Sequence, residues 1–325
     1  MPLAAGGLGY PAAMRAVRAV DGAPVVVDVA IREPPEGWVV LDVVANGICG
    51  SDHHLLHMGI EVTLGHEVAG RLPDGTPVAV QPIEYCGTCS SCLDDRAELC
   101  TRLVGPLGVA VDGGLAEQIV VPAGCLVPID DGVDPDVACL VEPLAVAVHA
   151  VNRVEIEAGS RVLVIGGGPI GLAAVAAAQR AGGIVDLVGR HPHQLAAGHR
   201  LGAGTSPDRD YDVVIEAAGA ESALVDAIDR CRPGGTVVIP GVYWEPVTLA
   251  QPAVWLTKQI DLVPAMYYGH HHGRRETDLA ASLLSARPDL AETLITHRFG
   301  LDDAAEAFRV SADRAAGAIK VVIAP

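Results

Sequence analysis

Four of the chain's eight cysteines fall in one short window, Cys86-Gly-Thr-Cys89-Ser-Ser-Cys92, followed by Cys100. In a chain expected to stay in the cytosol, thiols clustered this way imply a metal rather than disulfides. Four thiolates around Zn²⁺ close a tetrahedron and leave no position for a substrate, so this set is expected to be structural. It would tie down a loop that buries too little apolar surface to hold itself. Gly87, Thr88, Ser90 and Ser91 are small or polar, as a backbone wrapped around an ion requires. Four unrelated buried cysteines are the plainer alternative. A second donor set is dispersed along the chain: Cys49 in Gly47-Ile48-Cys49-Gly50-Ser51-Asp52, then His66-Glu67, then Glu142-Pro143 far downstream. Each of these alone is more often core than ligand. Together they offer a thiolate, an imidazole and carboxylates, which zinc accepts while keeping a position open. An open position makes zinc a Lewis acid for an alcohol or carbonyl oxygen. Cys125, Cys139 and Cys231 stand singly in apolar surroundings and are expected to be small buried hydrophobes.

A third chemical feature is Gly166-Gly167-Gly168-Pro169-Ile170-Gly171, which follows the strand-like Val162-Leu163-Val164-Ile165 and opens a helical run. A G-x-G-x-x-G pattern gains weight from that strand-turn-helix context. Gly166 permits the tight turn, Gly168 lets the backbone approach a pyrophosphate at the helix N-terminus, and Gly171 lets helix and strand pack closely. NAD-binding chains place an acid about 20 residues further on, at the ribose 2′-hydroxyl. Counting back from Leu201-Gly202-Ala203, that position falls on Gly189, with Arg190 beside it; Asp186 lies nearer the strand's start. A small residue followed by Arg suits a 2′-phosphate, so NADP(H) is favoured over NAD(H). In the alternative, Arg190 is only a solvated residue.

These groups need elements to hold them, and the chain has two textures. From Met14 to about residue 143 it is rich in β-branched runs and turns (VVVDVAI, WVVLDVVA, HEVAGRL, TPVAVQPI), which read as a strand-rich domain carrying the cysteine lobe 86–100. From 144 to about 285, buried-strand runs alternate with Ala-rich helical stretches, the pattern of a doubly wound parallel sheet. Residues 286–325 hold a helix-like DDAAEAFRVSAD and a strand-like IKVVI that could return to the first domain. Residues before Met14 read as a loose tail.

Composition narrows the partners. The chain has 325 residues, 22 Lys+Arg against 40 Asp+Glu, and a net charge of −18. That argues against a nucleic-acid partner, whose phosphates need a basic footprint. The longest apolar run, Val162 to Ala178, contains three consecutive glycines and a proline, so it reads as a turn between two short elements rather than a membrane span. No basic segment followed by an apolar one marks a signal peptide, and a cytoplasmic location is expected.

With these residues in view, the chain resembles the zinc-containing medium-chain dehydrogenase/reductase superfamily over nearly its whole length. The marks are GICGSDHH, GHEVAG, the four-cysteine lobe, GGLAEQIVVP, VEPLAVAVHA, VLVIGGGPIG, VVIEAAGA, ITHRFGLDDAAEAF and IKVVI. Glu67 after His66 and the Glu142-Pro143 pair resemble the polyol (sorbitol) and threonine dehydrogenase branch. The resemblance implies a Rossmann sheet beside a GroES-like β-barrel. It implies that Cys49, His66 and either Glu67 or Glu142 ligate a catalytic zinc, which with the lobe makes two zinc ions per chain. It implies that Ser51 takes the substrate's hydroxyl proton and passes it through the nicotinamide ribose to His54, and that Asp52 holds the His66 ring. It also implies that Ala218-Gly219 line the cofactor cleft, while Gly241 and Val242 lie along the nicotinamide.

The expected activity is hydride transfer between NADP(H) and a secondary alcohol or ketone, of polyol or sugar-like class. The alternatives are a threonine- or aldose-type dehydrogenase, and a non-catalytic nucleotide-binding relative. A homodimer or homotetramer is expected. The segment between Ser51 and Gly65 is short and carries extra His53 and His57, so substrate identity does not carry over. His270-His271-His272-Gly273-Arg274-Arg275 is expected to be a solvated basic loop, with a third metal site as the lesser alternative.

Overall fold

The structure, a computed structural model, describes residues 13–249 and 252–325. The first twelve residues of the expected tail lie outside them. Ala13–Val20 and Ala23–Ala30 form a hairpin in full antiparallel register. Its Asp21-Gly22 turn sits at φ 51° and 77°, the left-handed conformation a tight hairpin turn needs.

The long strand Trp38–Gly47 organises a seven-stranded antiparallel and mixed sheet. Glu67–Arg71 pairs along one edge. Gln118–Pro122 and then the terminal strand Lys320–Ala324 share the other, so the chain's end does return to the first sheet. Where Gly47 faces Glu67 in this register, a Cβ would stand 2.0 Å from Glu67 Oε2. A glycine is therefore required for the Glu67 carboxylate to lie where it does.

The second sheet is parallel throughout, in the order Asp261–Pro264, Cys231–Ile239, Tyr211–Glu216, Arg161–Ile165, Ile184–Val188. Its strands read as nearly continuous apolar runs because helices cover both faces. The order reverses between Arg161–Ile165 and Tyr211–Glu216, the switch point at which such sheets open a crevice. The run Val162–Ala178 breaks as expected: the strand ends at Ile165 and a helix starts at Pro169, capped by Gly168. Among the described residues no helix is long and apolar enough to cross a membrane.

Helix Val141–Asn152 joins the two sheets. Ten of its twelve residues are buried, and an all-round apolar helix belongs inside a core. Leu144 and Val148 share one cluster with Ala45, Ala69 and Ala79 of the first sheet, with Val162 and Val164 of the second, and with Leu172 of the helix Pro169–Arg180. Aromatics make up only 3% of the chain, so Ala, Val, Leu and Ile fill this core. The fold class is α/β, a Rossmann-type doubly wound sheet beside a GroES-like barrel domain.

The 270–275 segment differs from the expected solvated loop. His270–His271 pairs antiparallel with Arg274–Arg275 through His272 and Gly273 at φ 52° and 72°. The Gly273 N–H donates to Asp95 Oδ2 at 3.1 Å, which clips this small hairpin to the cysteine lobe. Both paired histidines are half-buried. Among the described residues these histidines join no group of donors able to hold a metal ion.

Candidate active site and metal centres

The lobe brings its four thiols into one cluster. Their sulfurs lie within 4.8 Å of one another, with Cys89 to Cys92 at 3.5 Å, Cys89 to Cys100 at 3.9 Å and Cys86 to Cys92 at 4.0 Å. Zinc–sulfur bonds of about 2.3 Å in a tetrahedron give sulfur separations of about 3.8 Å, so the spacing fits one shared ion. The backbone N–H of Thr88 is the largest cause that pulls the Cys86 thiol down to about 5, towards the thiolate that a metal takes. Cys125, Cys139 and Cys231 are buried singly, at 0–1% exposure.

The second donor set forms between the ends of several elements. Cys49 caps helix Gly50–Met58, and the Asp52 carboxylate reaches back so that Oδ2 accepts the Cys49 N–H at 2.8 Å. That reciprocal contact fixes Cys49 at the helix start. His66 precedes strand Glu67–Arg71. Donor atoms of Cys49, His66 and Glu67 lie within 4.8 Å of one another. Glu142 falls outside that group, at the start of helix Val141–Asn152, yet near enough for its charge to be felt at His66. Asp52 Oδ1 lies 3.5 Å from His66 Nδ1, which places Asp52 beside the imidazole as expected. Burial opposes a charge on His66, but Asp52, Cys49 and Glu142 together hold its pKa well above the ordinary value. Burial also pushes the Glu142 carboxyl up to about 7, with Glu67 adding to the effect. Among the described residues, buried Glu67 Oε2 has no hydrogen-bond partner, and Asp52 Oδ1 and His66 Nδ1 have only each other, at 3.5 Å. Concentrated negative donors with orphaned buried atoms suit a cation.

One member of this centre gave no functional signal in the sequence. Lys320 is 2% exposed, and its Nζ donates to Glu67 Oε1 at 2.6 Å and to the Ile48 carbonyl at 3.0 Å. It is one of only two lysines in the chain and sits in an apolar strand, and that setting was the available clue. Tyr268 is the other: its hydroxyl donates to Glu142 Oε1 at 3.1 Å from a segment with no recognisable pattern.

Ser51 is half-buried in the first turn of helix Gly50–Met58, and His54 is exposed one turn on. The His54 ring stacks on Trp244, with centroids 4.1 Å apart and planes 11° apart, across the gap between the two sheets. The extra His53 turns elsewhere, with Nε2 at 2.9 Å from Ser311 Oγ and its ring edge-on to Phe308. His57 Nδ1 meets the His53 carbonyl within the same helix.

The glycine turn lies at the switch point. Gly166 has φ 114°, and a Cβ there would stand 2.9 Å from the Ala218 N. A Cβ on Gly171 would stand 1.7 Å from the Gly166 carbonyl, so only glycine allows this helix to approach its strand. Pro169 and Ile170 form the first turn of the helix. Across the crevice, Glu216 Oε1 accepts the N–H groups of Ala218 and Gly219, while Tyr243 donates to Oε2 at 2.5 Å. Gly241 and Val242 lie alongside: the Gly241 N–H donates to the Glu216 carbonyl, and a Cβ on Gly219 would meet the Val242 carbonyl at 2.5 Å. Asp186 is committed elsewhere, because Tyr211 donates to its Oδ2 at 2.7 Å and its Oδ1 crowds Gly204. The Arg190 side chain is exposed, and its guanidinium makes no hydrogen bond or ion pair among the described residues. Gly189 packs beside Gln194, whose Oε1 accepts the N–H groups of Arg190 and His191.

A glycine-turn crevice at the switch point, together with a thiol–imidazole–carboxylate centre, defines an oxidoreductase class. Comparison with known proteins agrees. Residues 35–131 match the family profile described as the alcohol dehydrogenase GroES-like domain, and residues 135–324 match the one described as the glucose dehydrogenase C-terminus. The chain is 32% identical to L-galactonate-5-dehydrogenase of Escherichia coli (strain K12) over 67% of this chain and 73% of the relative. It is 32% identical to L-arabinitol 4-dehydrogenase of Aureobasidium melanogenum over 88% of this chain and 87% of the relative. A protein of Sinorhizobium meliloti 1021, solved with NADP bound, superposes with a TM-score of 0.83 at 31% identity, covering 97% of this chain and all of the other. The chain belongs to the zinc-type medium-chain dehydrogenase/reductase superfamily, in its polyol dehydrogenase branch. It is an oxidoreductase of small-molecule alcohols.

Proposed function

We propose that this enzyme moves hydride between NADP(H) and a secondary alcohol or ketone of polyol or sugar-like class. In this reading one zinc ion is held by Cys49, His66 and a carboxylate, Glu67 or Glu142, and a second by Cys86, Cys89, Cys92 and Cys100. The carrying observation is the donor set of Cys49, His66 and Glu67 within 4.8 Å, in which buried Glu67 Oε2 has no hydrogen-bond partner among the described residues. The ion would supply Lewis acidity towards an alcohol oxygen, and the nicotinamide would exchange the hydride. The chain itself does the rest. Asp52 holds the His66 ring, as a ligating imidazole requires. Ser51 accepts the hydroxyl proton, and exposed His54 delivers it towards solvent. A non-catalytic relative would have lost some of these groups, whereas all are present. The catalytic part would comprise residues 14–143 and 286–325, the cofactor part 144–285, in a cytoplasmic homodimer or homotetramer.

Metal counting tests the zinc reading. Protein purified without chelator is expected to carry two zinc ions per chain, and Cys100→Ser one, with a lower melting temperature. Structural zinc is worth roughly 10–16 kcal/mol apparent in small peptides; here the loss is smaller because the rest of the fold persists. Full zinc content with unchanged melting in Cys100→Ser would remove the lobe assignment. A panel of polyols, sugar acids, aldoses and threonine, followed by nicotinamide absorbance, identifies the substrate class.

Cofactor choice rests on Arg190. With Asp186 engaged by Tyr211, no acid remains at the ribose position, and the free guanidinium can meet a 2′-phosphate. Arg190→Ala is expected to lower kcat/KM for NADP⁺ by about 10- to 100-fold, because hydrogen bonds to charged groups contribute about 1.5–3 kcal/mol. NAD⁺ should be little changed. Equal loss with both cofactors would make Arg190 a bystander. Gly189→Asp is the less clean probe, since a Cβ there already meets Gln194 Cβ at 3.2 Å.

A further inference from the structure

Two carboxylates stand at the mixed centre, Glu67 within the donor group and Glu142 just outside it, and each is held by a single oxygen. Glu67 Oε1 is taken by the Lys320 ammonium. Glu142 Oε1 is taken by the Tyr268 hydroxyl, the only side-chain donor to Glu142 among the described residues. The two holds differ in kind. An ammonium neutralises its carboxylate, whereas a phenol orients its partner through a hydrogen bond and adds no counter-charge.

Tyr268 is built to do this. It is 1% exposed, and a buried tyrosine needs a partner for its hydroxyl. Its backbone is pinned on three sides. The Ala265 N–H donates to the Ile239 carbonyl at 3.0 Å, tying the segment to the parallel sheet. The Gly269 N–H donates to buried Glu276 at 2.8 Å. Tyr85, next to the first lobe cysteine, donates its hydroxyl to the Tyr268 carbonyl itself. The hydroxyl therefore sits at a set point, reached from the cofactor side of the molecule and braced by the cysteine lobe. Glu142, on a helix packed between the two sheets, has a backbone equally unable to move.

We infer that Tyr268 is a positioning residue that holds the Glu142 carboxylate beside the Cys49–His66–Glu67 centre. This rests on the reading of that centre as a zinc site. In this arrangement Glu67 keeps Oε1 on Lys320 with Oε2 among the donors, and Glu142 is the second carboxylate beside them.

Tyr268→Phe tests it, since only the hydroxyl is lost. Zinc release to a chromophoric chelator is followed in two phases, assigned with Cys49→Ser and Cys100→Ser as references. Loss of a ligand-orienting partner typically costs about 10- to 100-fold in metal affinity. The mixed-centre phase should weaken by that factor in Tyr268→Phe while the lobe phase stays unchanged. With Co²⁺ in the mixed centre, the visible ligand-field bands should shift. In a Glu142→Gln background the same substitution should have no further effect, because Tyr268 acts through that carboxylate. Tyr268→Met, which also lacks the donor, serves the same measurements if the Phe variant does not hold its fold. Unchanged release and cobalt bands, or equal loosening of both sites, would overturn the inference and leave the zinc reading standing. A wild-type chain whose metal content is not lowered by Cys49→Ser would overturn both.

Discussion

Ser51→Ala is expected to lower turnover about 10²- to 10⁴-fold while leaving cofactor affinity nearly unchanged, because general acid–base steps typically contribute that much. The substitution is structurally mild. The helix start is held by Asp52 on the Cys49 N–H, by buried Leu55 and Leu56, and by His53 on Ser311. None of these contacts uses the Ser51 hydroxyl. Helix formation is also slightly easier with Ala than with Ser. Turnover at saturating alcohol and cofactor, with cofactor binding measured separately, isolates the proton step. His54→Ala should cost less, since His54 is exposed and bulk water can replace the outer end of a relay. Normal turnover in Ser51→Ala would end the relay proposal.

Lys320→Met should destabilise the chelator-treated protein by about 3–5 kcal/mol, the usual consequence of leaving one partner of a buried ion pair uncompensated. Lys320 and Glu67 have side chains 2% and 1% exposed at a 2.6 Å contact, so little solvent reaches either charge. Adding Glu67→Gln should recover most of the loss, since the stranded charge is then gone. With zinc bound the single variant should lose less, because the ion supplies a counter-charge. Urea unfolding of the three proteins, with and without metal, reads all of these differences. A single variant as stable as wild type would show that Glu67 is not charged in the folded chain.

The fold was legible where periodicity is local. The strand runs WVVLDVVA, RVLVIG and YDVVIEAAG appear as strands, and the glycine turn falls between strand and helix. The His270–Arg275 segment was not legible, because its order comes from a contact with Asp95 some 178 positions earlier rather than from its own composition. The extra His53, which set the Ser51–Gly65 segment apart, packs its helix against Ser311 and Phe308.

For the site, residue type and spacing determined the donors. Cysteines three positions apart on a short loop can hardly avoid converging, and a glycine turn after an apolar strand has few other uses. What only the tertiary structure decided is how those donors are held. Glu67 lies with Cys49 and His66 because strands Trp38–Gly47 and Glu67–Arg71 pair in a register that sets Gly47 against it. Lys320 reaches Glu67 across 253 positions, and Tyr268 reaches Glu142 across 126. Such partners leave no mark in a local window, since burial and hydrogen bonding act through space: Lys320 meets Glu67 only when the terminal strand joins the first sheet, and Tyr268 meets Glu142 only when helix Val141–Asn152 is packed in the core.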